Sequence, residues 1–357
     1  MSDIASGQSR TAKIACRNLW KIYGLLHATT RLGTPPTAED IVRNNWFAAL
    51  QDVSLEIMPG ESFVIMGLSG SGKSTLLRCL SRLIEPTVGE LLFEGRSLMS
   101  LDERELAELR RRKMGMVFQN FALFPHLTIL ENVMFPLKVQ RVPMKQRRER
   151  ARELIAQVGL SNREGHYPRE LSGGQQQRVG IARSLAGNPE VWLLDEPFSA
   201  LDPLIRREMQ DEVLRLQGQL RKTVVFITHD FTEAVRLGDR MAILQDGKVV
   251  QVGTPEELVL KPATAYVAKF TREVPRQTVV SVGAIMSPPG ARAATDSPVP
   301  ANAKLGQVAE RIFAAGKDVA VIDAAGKPVG SIGPDLLAKV LFRASSSDGE
   351  NGTDPLS

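Results

Sequence analysis

A chain of 357 residues with 43% apolar content is long enough for two domains, or for one large domain with an appendage. Its 45 Lys and Arg exceed its 40 Asp and Glu only slightly, and the resulting charge of +5 suits an anionic ligand or surface without demanding nucleic acid. Two cysteines, Cys16 and Cys79, with no C-x-x-C pair, argue against a disulfide scaffold or a zinc site and fit a reducing cytoplasm.

The first residues lack the apolar core of a signal peptide, and no run of about 18 apolar residues is present to span a bilayer. Any membrane-embedded part of the chain's work is therefore expected from another polypeptide. Residues 13–22 predict a strand and turn, and 48–57 a second strand. Between them, 24–46 reads as an irregular insertion containing Pro35 and Pro36. The apolar run 62–66 predicts a strand, and 74–80 a helix. Between these two stands Gly67-Leu68-Ser69-Gly70-Ser71-Gly72-Lys73-Ser74-Thr75. A G-x-x-x-x-G-K-S match carries meaning only in such a strand–loop–helix setting. The glycines let backbone N–H groups turn toward one centre, and the helix N-terminus adds partial positive charge there. Lys73 is expected to reach the β- and γ-phosphates of a nucleoside triphosphate, and Ser74 to ligate Mg²⁺.

Farther along, 102–113 predicts a charged helix, with Ser100 and Glu103 as a capping box. Gln119 follows the apolar run 114–118, placed to sense both a metal and an attacking water. Residues 120–135 are unusually apolar for a loop, which marks a partner surface. Residues 144–158 read as a charged, solvated helix. Next come Leu171-Ser172-Gly173-Gly174-Gln175 and an amphipathic helix. Ser172 and Gln175 make a capping box, and the paired glycines at a helix start form a second anion site. The strand 191–194 runs into Asp195 and Glu196, an unfavourable end for a buried element unless a metal and a water nucleophile use the carboxylates. Asp195 is expected in the metal's shell, and Glu196 beside the water. A helix over 203–219, a strand over 224–228 and then His229 complete the alternation. His229 would sit at the C-terminal edge of a parallel sheet, where α/β sites lie. Strands alternating with helices predict an α/β fold with a largely parallel sheet.

In order and spacing these motifs resemble the ATP-binding subunit of an ABC transporter, across residues 13–270. The resemblance identifies 67–75 with Walker A, Gln119 with the Q-loop, 171–175 with the signature and 191–196 with Walker B. It identifies Ser199-Ala200-Leu201-Asp202 with the D-loop and His229 with the H-loop. It implies an ABC ATPase domain over 1–270 with a helical subdomain at about 120–187, hydrolysing ATP with Mg²⁺. Tyr23 falls where the family stacks an aromatic on adenine. A head-to-tail homodimer would sandwich each ATP between 67–75 of one copy and 172–175 of the other, with Ser199 and Asp202 at the interface. A transmembrane permease would dock near Phe121 and His126, on the cytoplasmic face of the membrane, with a separate solute-binding protein beyond it.

The insertion at 24–46, the runs 64–68, 199–206 and 238–243, and the C-terminal part resemble importers of glycine betaine, proline and choline. Those relatives carry two CBS modules in the tail. Here 271–278 reads as a linker, 279–342 resembles a single CBS module and 343–357 a disordered tail. The competing reading is a soluble ABC-type ATPase of DNA repair or translation. Such proteins carry coiled coils, zinc modules or two nucleotide domains in one chain, and this sequence displays none of them.

Overall fold

The computed structural model describes residues 11–25, 30–272, 274–288 and 294–342. The tail expected to be disordered, 343–357, lies outside them. The chain divides into two compact units, Met1–Thr254 and Pro255–Ser357. The division falls ahead of the expected end of the first domain at 270, because the helices Pro255–Leu260 and Ala265–Thr271 group with the second unit.

Within the first unit a six-stranded sheet carries the alternation read from the sequence. Five of its strands are parallel: Arg240–Gln245, Ser62–Met66, Thr223–Thr228, Val191–Asp195 and Met114–Val117, in that spatial order. The strand Lys248–Gly253 joins the outer edge antiparallel. Central parallel strands are covered on both faces, so their side chains form continuous apolar runs. Phe63, Val64, Ile65 and Met66 are all fully buried, as are Val191, Trp192 and Leu194. Each such side chain contributes about 1.5–3 kcal/mol by leaving water. The Trp192 indole N–H is satisfied inside this core by the Ser184 hydroxyl at 2.8 Å.

A second, antiparallel sheet joins Phe47–Ile57, Ile14–Tyr23, Val88–Phe93 and Arg96–Ser97. The predicted strands 13–22 and 48–57 belong here, outside the parallel sheet. Ile14 and Leu55 from this sheet share one core with Ile65, Leu193 and Val225 from the other and Leu76 of the helix Lys73–Leu80. Both cysteines are free and buried, and burial pushes each thiol up to about 12. That makes them unreactive apolar filler.

Two local expectations are corrected. Residues 24–46 are not wholly irregular: Thr37 and Asp40 form a capping box that starts a helix, Ala38–Arg43. Residues 102–113 do hold a helix, Glu103–Lys113, but its box is Asp102 with Glu105. Ser100 is taken up by a preceding 3-10 turn, Leu98–Ser100. Helices Ile129–Val139, Met144–Gln157 and Gly173–Ala186 pack on one another where the helical subdomain was expected.

The second unit contains a three-stranded sheet of Ala294–Pro300, Val319–Ile322 and Pro328–Ile332. The first pair is parallel and the second antiparallel. Helices Leu305–Ala315 and Pro334–Leu341 follow the first and last strands. The expected linker 271–278 includes the start of a short helix, Arg276–Val279. No helix among the described residues is long and apolar enough to cross a membrane.

Candidate nucleotide site

The parallel register places the ends of four strands along one edge. Met66 pairs with Thr228, Asp195 with Ile227, and Val117 with Leu194. The residues just beyond those ends are Gly67, His229, Glu196 and Gln119, drawn from four separate segments of the sequence. This carboxyl edge is where open α/β sheets place ligands.

The loop of residues 67–75 has the conformation its glycines allow. Gly67 has φ of +152°, and a Cβ there would stand 2.3 Å from the Leu244 carbonyl oxygen. Gly72 has φ of +96°, with the Ala49 carbonyl oxygen at 2.5 Å from the same hypothetical atom. Larger residues would displace backbone at both points. Leu68 is exposed at the loop's rim, while Ser71 and Lys73 are buried. Ser74 and Thr75 lie in the first turn of the helix Lys73–Leu80.

Lys73 Nζ donates to the carbonyl oxygens of Gly67 at 2.9 Å and Leu68 at 3.0 Å. It also lies 3.9 Å from Glu196 Oε1. Burial holds its pKa below the usual lysine value, and Glu196 and Asp195 oppose that shift. Ser74 Oγ donates to Asp195 Oδ1 at 2.7 Å. Arg78, one turn farther along the helix, donates to Asp195 Oδ2 at 3.2 Å. Asp195 is 1% exposed. Glu196 stands at φ of +43°, a strained conformation for a side chain of its kind and one that gathers at functional sites. His229 Nδ1 lies 3.5 Å from Glu196 Oε2.

The site thus brings Lys73, Ser74, Asp195, Glu196 and His229 together. Gln119 sits in an exposed turn two residues past the strand end that pairs beside Glu196. Ser199 is tied to Glu196 itself, its hydroxyl donating to the Glu196 carbonyl at 3.0 Å. Asp202 caps the helix Pro203–Leu220 by accepting from the Ile205 amide at 3.1 Å. Ser172 and Gln175 form the expected capping box on another helix, Gly173–Ala186. There Gly174 faces Ile205, and Gly173 faces Leu201 and Phe121. Tyr23 ends a strand of the antiparallel sheet, about one-third exposed, with the Lys21 ammonium 5.1 Å from its ring centre. Its cross-strand partner is Phe47, also exposed, an aromatic that the sequence reading passed over. Arg78 was missed too, although its spacing four residues after Ser74 puts it on the same helix face.

The fit of the site to an anion and a hard cation can be judged from its atoms. The buried Ser71 hydroxyl has no hydrogen-bond partner, a donor left over in the loop. The Ser74 hydroxyl and the Asp195 carboxylate are oxygen donors of the kind Mg²⁺ prefers. No cluster of three or more His, Cys, Asp or Glu able to hold a metal exists among the described residues. A partial oxygen shell completed by substrate phosphates is how Mg²⁺ is usually bound at nucleotide sites.

Comparison with known proteins identifies the family of the chain. A family model described as ABC transporter matches residues 50–199. The trimethylamine N-oxide transport system ATP-binding protein TmoW of Pelagibacter ubique is 50% identical over 92% of this chain and 97% of its own length. TmoW of Ruegeria pomeroyi is 51% identical over 93% and 98% respectively. The glycine betaine/proline betaine transport system ATP-binding protein ProV of Salmonella typhimurium is 45% identical over 96% of this chain and 86% of its own. Among solved structures, a dimeric post-hydrolysis state of the ATP-binding cassette MJ0796 bound to ADP and Pi matches with a TM-score of 0.58. It is 38% identical and covers 68% of this chain and 98% of that one. The chain belongs to the ABC transporter ATPases, the ATP-hydrolysing subunits of membrane transport systems.

Proposed function

We propose that this subunit binds Mg²⁺·ATP on residues 67–75 and hydrolyses it at Glu196. The observation that carries the reading is the gathering of Lys73, Ser74, Asp195, Glu196 and His229 at one sheet edge. Residues Gly67, Leu68, Ser69, Gly70, Ser71, Gly72, Lys73, Ser74 and Thr75 hold the phosphates through backbone amides, the Lys73 ammonium and the two hydroxyls. Ser74, Asp195 and Gln119 hold Mg²⁺, whose role is to neutralise charge on the phosphates. Glu196 orients the attacking water and takes its proton. His229 fixes the Glu196 carboxylate and reaches toward the γ-phosphate. Tyr23 stacks on adenine.

Four negative charges on ATP call for donors on more than one side. We assign the second side to Ser172, Gly173, Gly174 and Gln175 of another copy, with Ser199 and Asp202 at the junction of a homodimer. The dimeric neighbour supports that arrangement. The permease contact is assigned to the segment around Phe121 and His126. A cavity of about 470 Å³ beside it is lined by Phe118, Ala122, Phe124, Phe135, Pro136 and Arg183. The subunit then works peripherally on the cytoplasmic face of the membrane.

For the solute we propose a small methylated amine. Trimethylamine N-oxide, glycine betaine and choline all present a fully substituted nitrogen, and relatives carrying these names match at 45–51% identity. The two TmoW relatives also match this chain in length, whereas ProV extends beyond it. The single CBS-like module assigned to 279–342 agrees with that difference. A soluble repair or translation ATPase is disfavoured by transport relatives that span more than nine-tenths of the chain.

The test is uptake of labelled trimethylamine N-oxide, glycine betaine, choline and proline by cells co-expressing the chain with its permease and binding protein. Accumulation of one of the methylated amines that Glu196→Gln abolishes is expected. Transport of a different solute with the same dependence would overturn the solute assignment and leave the ATPase role standing.

A further inference from the structure

Glu233 is a buried carboxylate for which the hydrolytic scheme above has no use. It lies in the short helix Phe231–Leu237, four residues past His229, and is 7% exposed. Burial pushes its pKa up, and the Thr228 hydrogen bond only partly opposes that. A carboxyl group is costly to bury unless neighbours satisfy its oxygens.

Its two oxygens are each engaged. Oε2 accepts from the Thr228 hydroxyl at 2.7 Å, and Oε1 accepts from Gln210 Nε2 at 3.0 Å. Because the Thr228 proton points at Glu233, the Thr228 oxygen is left to accept from the Asp230 amide at 2.9 Å. Thr228 and Asp230 are the residues on either side of His229. Asp230 in turn accepts from the Thr232 amide at 2.8 Å and the Glu233 amide at 3.3 Å. The backbone carrying His229 is thereby clamped from both sides by groups that Glu233 aligns.

The same carboxylate also faces the other loop of the site. Arg206 Nε stands 3.9 Å from Glu233 Oε1, and the Arg206 guanidinium donates to the Leu201 carbonyl at 3.2 Å. Leu201 lies in the turn whose Ser199 is bonded to the Glu196 carbonyl at 3.0 Å. With His229 Nδ1 3.5 Å from Glu196 Oε2, the contacts close into a ring. That ring surrounds a small cavity lined by Glu196, Ser199, Arg206, Thr228, His229 and Glu233.

We infer that Glu233 is a positioning residue for hydrolysis: through Thr228 and Arg206 it sets the His229 loop against the Ser199–Glu196 turn, so that His229 meets Glu196 in the reactive arrangement. The inference rests on the assignment of His229 and Glu196 to the reaction. A misplacement of about 1 Å in such a constellation costs roughly 10²-fold in rate.

The experiment compares ATP hydrolysis by the full chain in Glu233→Gln, Thr228→Val, Thr228→Ser, His229→Ala and the double variant Glu233→Gln/His229→Ala, with ATP affinity measured alongside. Gln at 233 has one acceptor oxygen where two are used. Expected for Glu233→Gln is a kcat about tenfold or more below wild type with KM changed less than about twofold, since nucleotide contacts are untouched. Thr228→Val shows the same loss, and Thr228→Ser recovers most of it. In the His229→Ala background Glu233→Gln adds no further loss, because the two act as a unit. A full additional loss in that background would assign Glu233 a general structural role and overturn the inference. So would wild-type kcat in both Glu233→Gln and Thr228→Val while His229→Ala is impaired. Wild-type hydrolysis by His229→Ala itself would instead remove the underlying assignment. Should Glu233→Gln fail to fold, the Thr228→Val and Thr228→Ser pair decides the question alone.

Discussion

The Ser74 hydroxyl and the Asp195 carboxylate meet at 2.7 Å although 121 positions separate them in the chain. One opens the helix after the phosphate loop, and the other ends a buried strand two strands away in the sheet. Asp195→Asn keeps the shape and removes the charge. It is expected to raise the Mg²⁺ concentration needed for half-maximal ATP hydrolysis and to lower the maximal rate by about 10²-fold. A Mg²⁺ titration of turnover checks this, and an unchanged midpoint would take Asp195 out of the metal's shell.

Glu196→Gln preserves size while removing the base. ATP affinity should stay near wild type, and hydrolysis should fall by about 10²–10³-fold. With turnover blocked, ATP should hold the chain as a dimer, read by light scattering with and without nucleotide. A monomer in saturating ATP would contradict the sandwich arrangement.

Lys73 is held over its own loop by two carbonyl oxygens, waiting beside the place where phosphate charge is expected. A charge-assisted hydrogen bond contributes about 1.5–3 kcal/mol, so Lys73→Ala should weaken ATP binding by about 10- to 100-fold. Calorimetry on the purified chain measures this directly.

The ion cluster of Lys13 with Glu94 and Glu190, and of Glu190 with Lys113, gives a stability prediction away from the site. Hydrogen bonds from Lys113 and Lys13 hold the Glu190 carboxyl below its usual range. Burial pulls the Lys13 ammonium down, but its bonds to Glu190 and Glu94 outweigh that and leave it raised. A depressed carboxylate stabilises the fold above its ordinary range, and that contribution is lost as pH falls through its folded-state value. A raised lysine loses its contribution only in strong alkali. Glu190→Gln should therefore lower the Tm at neutral pH, with the gap to wild type closing as the solution is acidified. A gap that persists in acid would assign the loss to packing.

The site was legible where chemistry is local in sequence. Residues 67–75 form a contiguous loop between a strand and a helix, and Asp195, Glu196 and His229 stand at strand ends that apolar runs reveal. What was not legible depends on pairings distant in sequence. Nothing near position 233 indicates that its carboxylate will meet Gln210 and Arg206. Likewise the strands 13–22 and 48–57 show themselves, but their departure into a separate antiparallel sheet is decided by partners as far away as Val88–Phe93. At Ser100 two capping registers compete two residues apart, and the 3-10 turn selects the second. The helix Ala38–Arg43 had a readable Thr37–Asp40 box, hidden among scattered polar residues and prolines.

Arg183 has a consequence for how force could travel through this subunit. Its guanidinium, largely buried in the helix Gly173–Ala186, donates to the carbonyl oxygens of Ala122 at 2.6 Å and Phe121 at 3.0 Å. Phe121 and Ala122 both stand at positive φ, so the bend after Gln119 is already wound tight. Both carbonyls of that bend are held by the helix whose first residues are Gly173 and Gly174. Arg183 thereby ties the segment after Gln119 to the helix that Ser172 caps, so that the two share one hydrogen-bonded unit.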